Sequence, residues 1–333
     1  MATTVYFATN RVISGAASDY RNYGTAIVSP TNPNLITYGT AFVDNANLTA
    51  DTVGAITSIR DISKGSFGPQ ALADLSNPGR NLLIFIHGFA NSFEAAITRA
   101  AYNREWLAGS GLPAADMDIL AFTWPSSGSL IAVPPNFPDA AYVADQGRAG
   151  KSGYHLGHFF NEVSKLFTGF DPTVKRRVLL LAHSMGNWAL EAGVEAFFYQ
   201  VPTPPLSFDE VVLAAADEVA TSFETRDGSR LSRLLDISKR ISVYYNEVDV
   251  AMFLSMAVNR NDRLGKDGAD NKTDTTLYPP DRFRNVDCTG VADYNKLDPI
   301  DATHQYYRRS PTVRADIAAL IGGGNVAPGV SSL

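Results

Sequence analysis

The sequence predicts an α/β fold, a mostly parallel central sheet of about eight strands flanked by helices. Three observations carry that expectation. Short apolar runs alternate with longer amphipathic stretches, as strands alternate with helices in a parallel sheet. Two of those runs, residues 82–86 and 178–182, are continuously apolar, as befits strands buried on both faces. The second ends in Ala182-His183-Ser184-Met185-Gly186 and passes straight into a helix-forming segment at 187–199. A buried strand delivering a serine to a tight turn before a helix is a recurring α/β arrangement.

The elements follow in order. Residues 5–8 and 35–43 read as early strands, the second with the alternation of an antiparallel edge. The run 82–86 is a central strand. Residues 93–107 form the next helix, with Phe93, Ile97, Ala100 or Ala101, and Arg104 at helical spacing. Residues 118–124 give a strand closed by Pro125. Residues 141–167 read as one long helix that Gly150 or Gly153 would kink. Strands are expected at 211–216 and 241–245, with a polar helical segment between them that ends near Ser238. A helix at 250–258, a short strand at 283–289 and a closing helix at 312–321 complete the series.

Residues 1–333 read as a single domain with two insertions. Residues 126–139 mix small, apolar and proline residues, among them Leu130, Ile131, Val133 and Phe137, and suit a lid or pocket wall. Residues 259–280 form a polar surface insertion. Its Asp262, Asp267, Asp270 and Asp274 lack the glycine and terminal glutamate of a calcium loop.

Composition bounds the function. A hydrophobic content of 45% with 19% charged residues describes a globular chain with ample core. A net charge of −6 and the lack of any long basic run argue against nucleic acid as a partner. The single Cys288 excludes an intramolecular disulfide and fits a reducing compartment. The first residues lack a basic segment followed by an apolar one, so no signal peptide is expected. No apolar stretch reaches the ~18 residues of a membrane span. A cytoplasmic location follows as the expectation.

The turn at 182–186 reads as a nucleophile elbow, in which the neighbours two residues either side of the serine must be small. That makes the fold an α/β-hydrolase and Ser184 an acyl-accepting nucleophile. Such a serine needs a histidine base and a carboxylate to orient it, in the chain order Ser, acid, His. Of His87, His155, His158, His183 and His304, only His304 lies beyond Ser184. Asp249, after the strand 241–245, is the preferred acid. Asp217, with Glu218 after the strand 211–216, is the alternative, and Glu247 would point differently.

An oxyanion hole needs two backbone N–H donors. Met185 should supply one. Phe89, in His87-Gly88-Phe89-Ala90-Asn91 after the strand 82–86, should supply the other. His87 is then expected to fix this loop through hydrogen bonds, His183 to pack, and Trp124 to form an apolar wall near the pocket. His155 and His158 lie three apart on a helix, but a third ligand at metal-binding spacing is missing, so no metal is expected.

The chain resembles the bacterial α/β-hydrolase family long catalogued as a domain of unknown function. The resemblance rests on residues 6–11 (Tyr-Phe-Ala-Thr-Asn-Arg), on His87-Gly88-Phe89 with Asn91, and on Phe122-Thr123-Trp124-Pro125-Ser126 with Gly128. It continues through Ala182-His183-Ser184-Met185-Gly186-Asn187, Asp249-Val250-Ala251 with Ser255, Arg263-Leu264-Gly265 and His304-Gln305-Tyr306. It therefore covers nearly the whole chain. The order and spacing of the pieces are specific, and no single piece is. It implies Ser184, Asp249 and His304 as the triad and implies no substrate. Ala182 departs from the more familiar glycine, a change the turn should tolerate.

The expected activity is hydrolysis of carboxylic esters through an acyl-enzyme, carboxylesterase-like, without cofactor or metal, on a small-molecule or acyl-ester substrate. Lipase, thioesterase, polyester hydrolase, peptidase and acyltransferase chemistry share the same triad. A non-catalytic α/β-hydrolase scaffold is the reading from another class. Dehalogenase and epoxide hydrolase relatives carry an aspartate where Ser184 stands.

Overall fold

Among the described residues of the computed structural model, ten strands join in one sheet. The structure describes residues 1–77, 79–112, 116–127, 139–167, 176–205, 208–224, 231–294 and 303–333. The chain opens with β1 (Ala2–Thr9), β2 (Arg11–Ile13), β3 (Tyr23–Ile27), β4 (Thr37–Asp44) and β5 (Ile56–Lys64). Then come α1 (Pro69–Leu75), β6 (Asn81–Ile86), α2 (Phe93–Ala108) and β7 (Met117–Thr123). Helices α3 (Asp139–Lys151) and α4 (Gly153–Lys165) precede β8 (Val178–His183) and α5 (Gly186–Gln200). After β9 (Phe208–Ala214), a 3-10 helix (Leu231–Ile237) leads into β10 (Ser238–Tyr245), α6 (Val250–Asn259) and the short α7 (Leu264–Asp267). The chain closes with β11 (Phe283–Asp287), α8 (Tyr306–Arg309), α9 (Pro311–Ile321) and β12 (Gly329–Ser332).

The sheet order is β12-β11-β10-β9-β8-β6-β7-β1-β4-β5. Every neighbour from β12 to β1 is parallel, while β4 and β5 add an antiparallel margin. Alternate side chains sort the core onto the two faces, as the two-residue strand period requires. In β6, Leu82, Ile84 and Ile86 join one cluster with Leu156, Phe160, Leu190 and Phe197 of α4 and α5. Leu83 and Phe85 join the other with Phe93 and Ile97 of α2 and Val313 and Ile317 of α9. Helices thus cover both faces, which is why the central runs are continuously apolar.

Ten strands replace the eight expected. The two additions are β5 and β12. Along β5 only Ile56 and Ile59 are buried among polar residues, and β12 is a short Gly-Val-Ser-Ser strand on the far margin. Neither offers the apolar density that marks a central strand. The stretch expected as an antiparallel edge, β4, lies inside the sheet between β1 and β5 and is almost wholly buried. The long helix expected at 141–167 divides at Ser152, whose hydroxyl accepts from Asn10 Nδ2 at 2.9 Å. Within the polar stretch 259–280, Arg263 and Leu264 are fully buried.

The topology itself selects a site. From β6 the chain moves to β7 on one side, then returns to β8 on the other. The chain therefore leaves the carboxyl ends of β6 and β8 toward opposite sides of the sheet, the switch point at which parallel sheets place their ligand sites. Among the described residues, no helix is long and apolar enough to cross a membrane.

Candidate active site

Strand β8 ends one residue before Ser184, and the backbone turns there into the left-handed region, φ 54°. A non-glycine residue held there carries steric strain, of the kind that concentrates at functional turns. The surroundings enforce it. Ser184 N donates to Ala214 O at 3.0 Å, and Ser184 O accepts from the backbone N–H groups of Asn187 (3.0 Å) and Asp217 (3.2 Å). Helix α5 begins at once. Its first residue must be glycine, because a Cβ at Gly186 would lie 2.5 Å from His87 O and 2.7 Å from Ile86 O. Ala182, two residues before the serine, meets no such limit; its methyl joins the core.

Asp249 caps α6, its Oδ1 accepting from Met252 N at 3.1 Å. Its other oxygen, Oδ2, lies 2.8 Å from His304 Nδ1. Two further bonds tie the loop of His304 to that of Asp249. Val250 N donates to Thr303 Oγ1 (2.9 Å), and Asn246 Nδ2 donates to Thr303 O (3.0 Å). Burial pushes the Asp249 carboxyl above its ordinary range, against the opposing pull of His304 and the α6 amides. The His304 ring stands 4.8 Å from that of His183, the neighbour of Ser184, and His183 Nε2 lies 3.3 Å from His304 O. His183 is itself held neutral, its pKa driven well below the ordinary value by burial and by His304.

Asp217 has other partners. Its carboxylate accepts from Tyr142 Oη and Ser255 Oγ and faces Arg263 Nε at 3.6 Å. Glu247 is exposed to solvent. The histidine thus meets Asp249, and Asp217 instead knits α3, α6 and the Arg263 turn around the elbow.

The loop from β6 crosses the elbow in contact. A Cβ at Gly88 would fall 2.8 Å from Ser184 Cβ and 3.0 Å from His183 O, so only glycine allows this approach. His87 Nδ1 bonds Gly88 O at 2.9 Å. Burial, with Arg11 nearby, pulls His87 down to about 3 and keeps it neutral. Trp124, expected as a pocket wall, is instead fully buried behind this loop. Its indole N–H donates to His87 O at 2.7 Å, and the two rings stack at 5.1 Å. An indole buried in the core must satisfy its N–H, and the loop carbonyl does so.

His155 and His158 fasten α4 to the N-terminal turns. His155 Nδ1 contacts Asn10 Nδ2 (3.2 Å) and its Nε2 Asn32 O (3.2 Å), while His158 Nε2 meets Gly65 O (3.0 Å). Of the segment 126–139, expected as a lid or pocket wall, residues 128–138 lie outside the described residues. Ser126 and Ser127 at its start are bound to the buried Asp145. Sequence reasoning assigned no role to Arg11, Asn91, Tyr142 or Arg263. Arg11, Asn91 and Arg263 were signalled only by membership of the ordered motif series and Tyr142 by nothing, since none carries a chemistry recognisable from its own neighbours.

The strand order, the helices on both faces and the switch point between β6 and β8 define the α/β-hydrolase fold. The chain belongs to the α/β-hydrolase family of unknown function DUF900, whose model matches residues 68–323. A comparison with curated proteins returns no match. Solved structures similar to the chain include the lin2722 gene product of Listeria innocua, at 11% identity over 76% of this chain and 98% of that one, TM-score 0.37. Lipase B of Aspergillus fumigatus follows at 12% identity over 80% and 60%, TM-score 0.38. Phospholipase PlaB of Legionella pneumophila, in complex with thio-NAD, matches at 12% identity over 66% and 41%, TM-score 0.24. Likenesses this distant carry no argument about activity.

Proposed function

We propose that the protein is a serine hydrolase of carboxylic esters acting through Ser184, His304 and Asp249. One observation carries the reading, the 2.8 Å bond between His304 Nδ1 and Asp249 Oδ2 beside a serine at φ 54°. With Nδ1–H donated to the carboxylate, the His304 lone pair resides on Nε2, the tautomer that accepts a proton from a serine hydroxyl. Ser184 Oγ attacks the ester carbonyl as its proton passes to Nε2, and the carbonyl electron pair moves onto oxygen. The amides of Phe89 and Met185 receive that charge. Among the described residues neither amide has another acceptor. The tetrahedral adduct expels the alcohol, which leaves with the proton from His304. Water then attacks the acyl-serine by the same route and regenerates Ser184. Asp249 stays ionised throughout and stabilises the imidazolium. The cycle balances without a metal or organic cofactor.

Purified protein should hydrolyse short p-nitrophenyl esters and label with a fluorophosphonate, and Ser184→Ala should lose both. Full activity in that variant would remove Ser184 from the mechanism, and an unreactive wild type would favour a non-catalytic scaffold. Esters of graded acyl length, with a thioester and an amide, separate carboxylesterase from lipase, thioesterase, polyester hydrolase, peptidase and acyltransferase preferences.

A further inference from the structure

We propose that Asn91 is a positioning residue that aims the oxyanion hole, holding the Phe89 amide toward Ser184 from behind the loop. The inference rests on the reading of Ser184 as nucleophile. All four polar groups of Asn91 are engaged, and the residue is almost completely buried. Its Nδ2 donates to Gly88 O at 2.9 Å and to Phe89 O at 2.8 Å. Its Oδ1 accepts from Arg99 Nη1 at 2.7 Å, which fixes which end of the amide faces the loop. Its backbone N–H donates to Ser126 Oγ at 3.1 Å, and its carbonyl accepts from Arg11 Nη2 at 2.8 Å.

The consequence follows from the planarity of the peptide. In a trans peptide the C=O and the next N–H point in opposite directions. The oxygen of Gly88 is drawn to one side by two donors, Asn91 Nδ2 and His87 Nδ1. The Phe89 N–H of that same peptide must then face the other way. Gly88 sits against the Ser184 side chain, so the amide is presented at the elbow. The geometry has a strain cost at Ala90, whose φ of 58° folds the loop back so that Asn91 lies beneath it.

Arg11 completes the mount. Its Nη1 donates to Gly24 O (3.0 Å) and Ser126 O (3.2 Å), so one buried guanidinium joins three segments through their carbonyls. The start of the chain thereby holds the loop that receives the developing charge, which gives the motif at 6–11 a physical purpose.

Two near-isosteric changes test the inference. Asn91→Leu removes the donors at similar volume, and Asn91→Asp keeps the oxygen that meets Arg99 while removing the NH₂. The charge to be stabilised appears only in the transition state, so kcat should fall about 10- to 100-fold with KM nearly constant. Affinity for an alkyl trifluoromethyl ketone, whose serine adduct carries an oxyanion, should fall by the same factor. Asn91→Gln should recover part of both losses. Arg99→Gln keeps a donor for Oδ1, and Arg99→Met removes it. The two share the loss of the Arg99 charge that also acts on His87 and His183, so they should differ in kcat and ketone affinity together by a smaller factor. The pair reads the inference even if Asn91 variants fold poorly. Unchanged kcat and ketone affinity in folded Asn91 variants, or equal values in Arg99→Gln and Arg99→Met, would overturn the role of Asn91. Activity surviving Ser184→Ala would instead overturn the nucleophile, so the two failures are distinguishable.

Discussion

Ser184 illustrates how much one dihedral decides. The left-handed turn that holds it is a strained conformation for any side chain, and glycine adopts it at little cost. Ser184→Gly should therefore be more stable than Ser184→Ala by about 1 kcal/mol, while both are inactive. Urea unfolding of the two variants checks this, and equal midpoints would show that the turn stores no strain. Gly186 is the converse case. A methyl there meets the backbone oxygens of Ile86 and His87, which cannot rotate away, so Gly186→Ala should displace the loop after β6 along with the elbow. At this scale the sequence was informative where a residue type is forced by chemistry. Ser184, Gly186 and His304 were legible because few residues can do what each position needs. Asn91 was not, because an asparagine satisfying loop carbonyls resembles any other loop asparagine until the loop is seen folded.

Asp249 does two jobs because of the element it begins. It is the N-cap of α6 through one carboxylate oxygen and the partner of His304 through the other. Asparagine caps a helix as well as aspartate does, whereas alanine cannot. Asp249→Asn should thus keep nearly full stability and lose about 10⁴-fold in kcat, as expected when the histidine is held in the wrong tautomer. Asp249→Ala should lose about 1 kcal/mol in addition. Thermal melts alongside ester assays separate the two jobs, and equal stability of Asn and Ala variants would deny the cap. The sequence preferred Asp249 and kept Asp217 as the alternative, because both follow parallel strands. In the fold the His304 loop reaches Asp249, while Asp217 is drawn away by Tyr142, Ser255 and Arg263. Among the strands, β6 and β8 were readable because burial on both faces leaves an unbroken apolar run. Marginal β5 and β12 were not, because an edge needs only sparse apolar contacts.

At the scale of the whole molecule, the buried neutral histidines link fold to pH. His87 is drawn down to about 3 in the fold, against an unfolded value of about 6.5. As pH falls through 6.5 the unfolded chain takes up the proton first. The contribution is therefore complete above 6.5 and is lost on acidification at about 1.4 kcal/mol per pH unit. The buried acids Asp249 and Glu218, raised by burial, act in the opposite sense. The difference between wild type and His87→Gln isolates the histidine. The variant's stability deficit should shrink by about 2–3 kcal/mol between pH 6.5 and 4.5, whereas a pH-independent difference would show that His87 is not held neutral.

The sequence by itself determined the class of fold, the serine on its turn and the histidine that follows it. Each is written in local pattern: runs buried on both faces, small residues around a tight turn, the order of titratable groups along the chain. Tertiary structure decided the strand count, the partner of His304, and the conversion of Trp124 from supposed pocket wall to clamp on the loop. It also brought Arg11, Asn91 and Ser126 into one bonded set. Hydrophobic periodicity reports which face of an element is buried, and it carries no information about which distant carbonyl a buried donor will meet. That is fixed only when the sheet order sets β6 between β7 and β8 and brings their loops together.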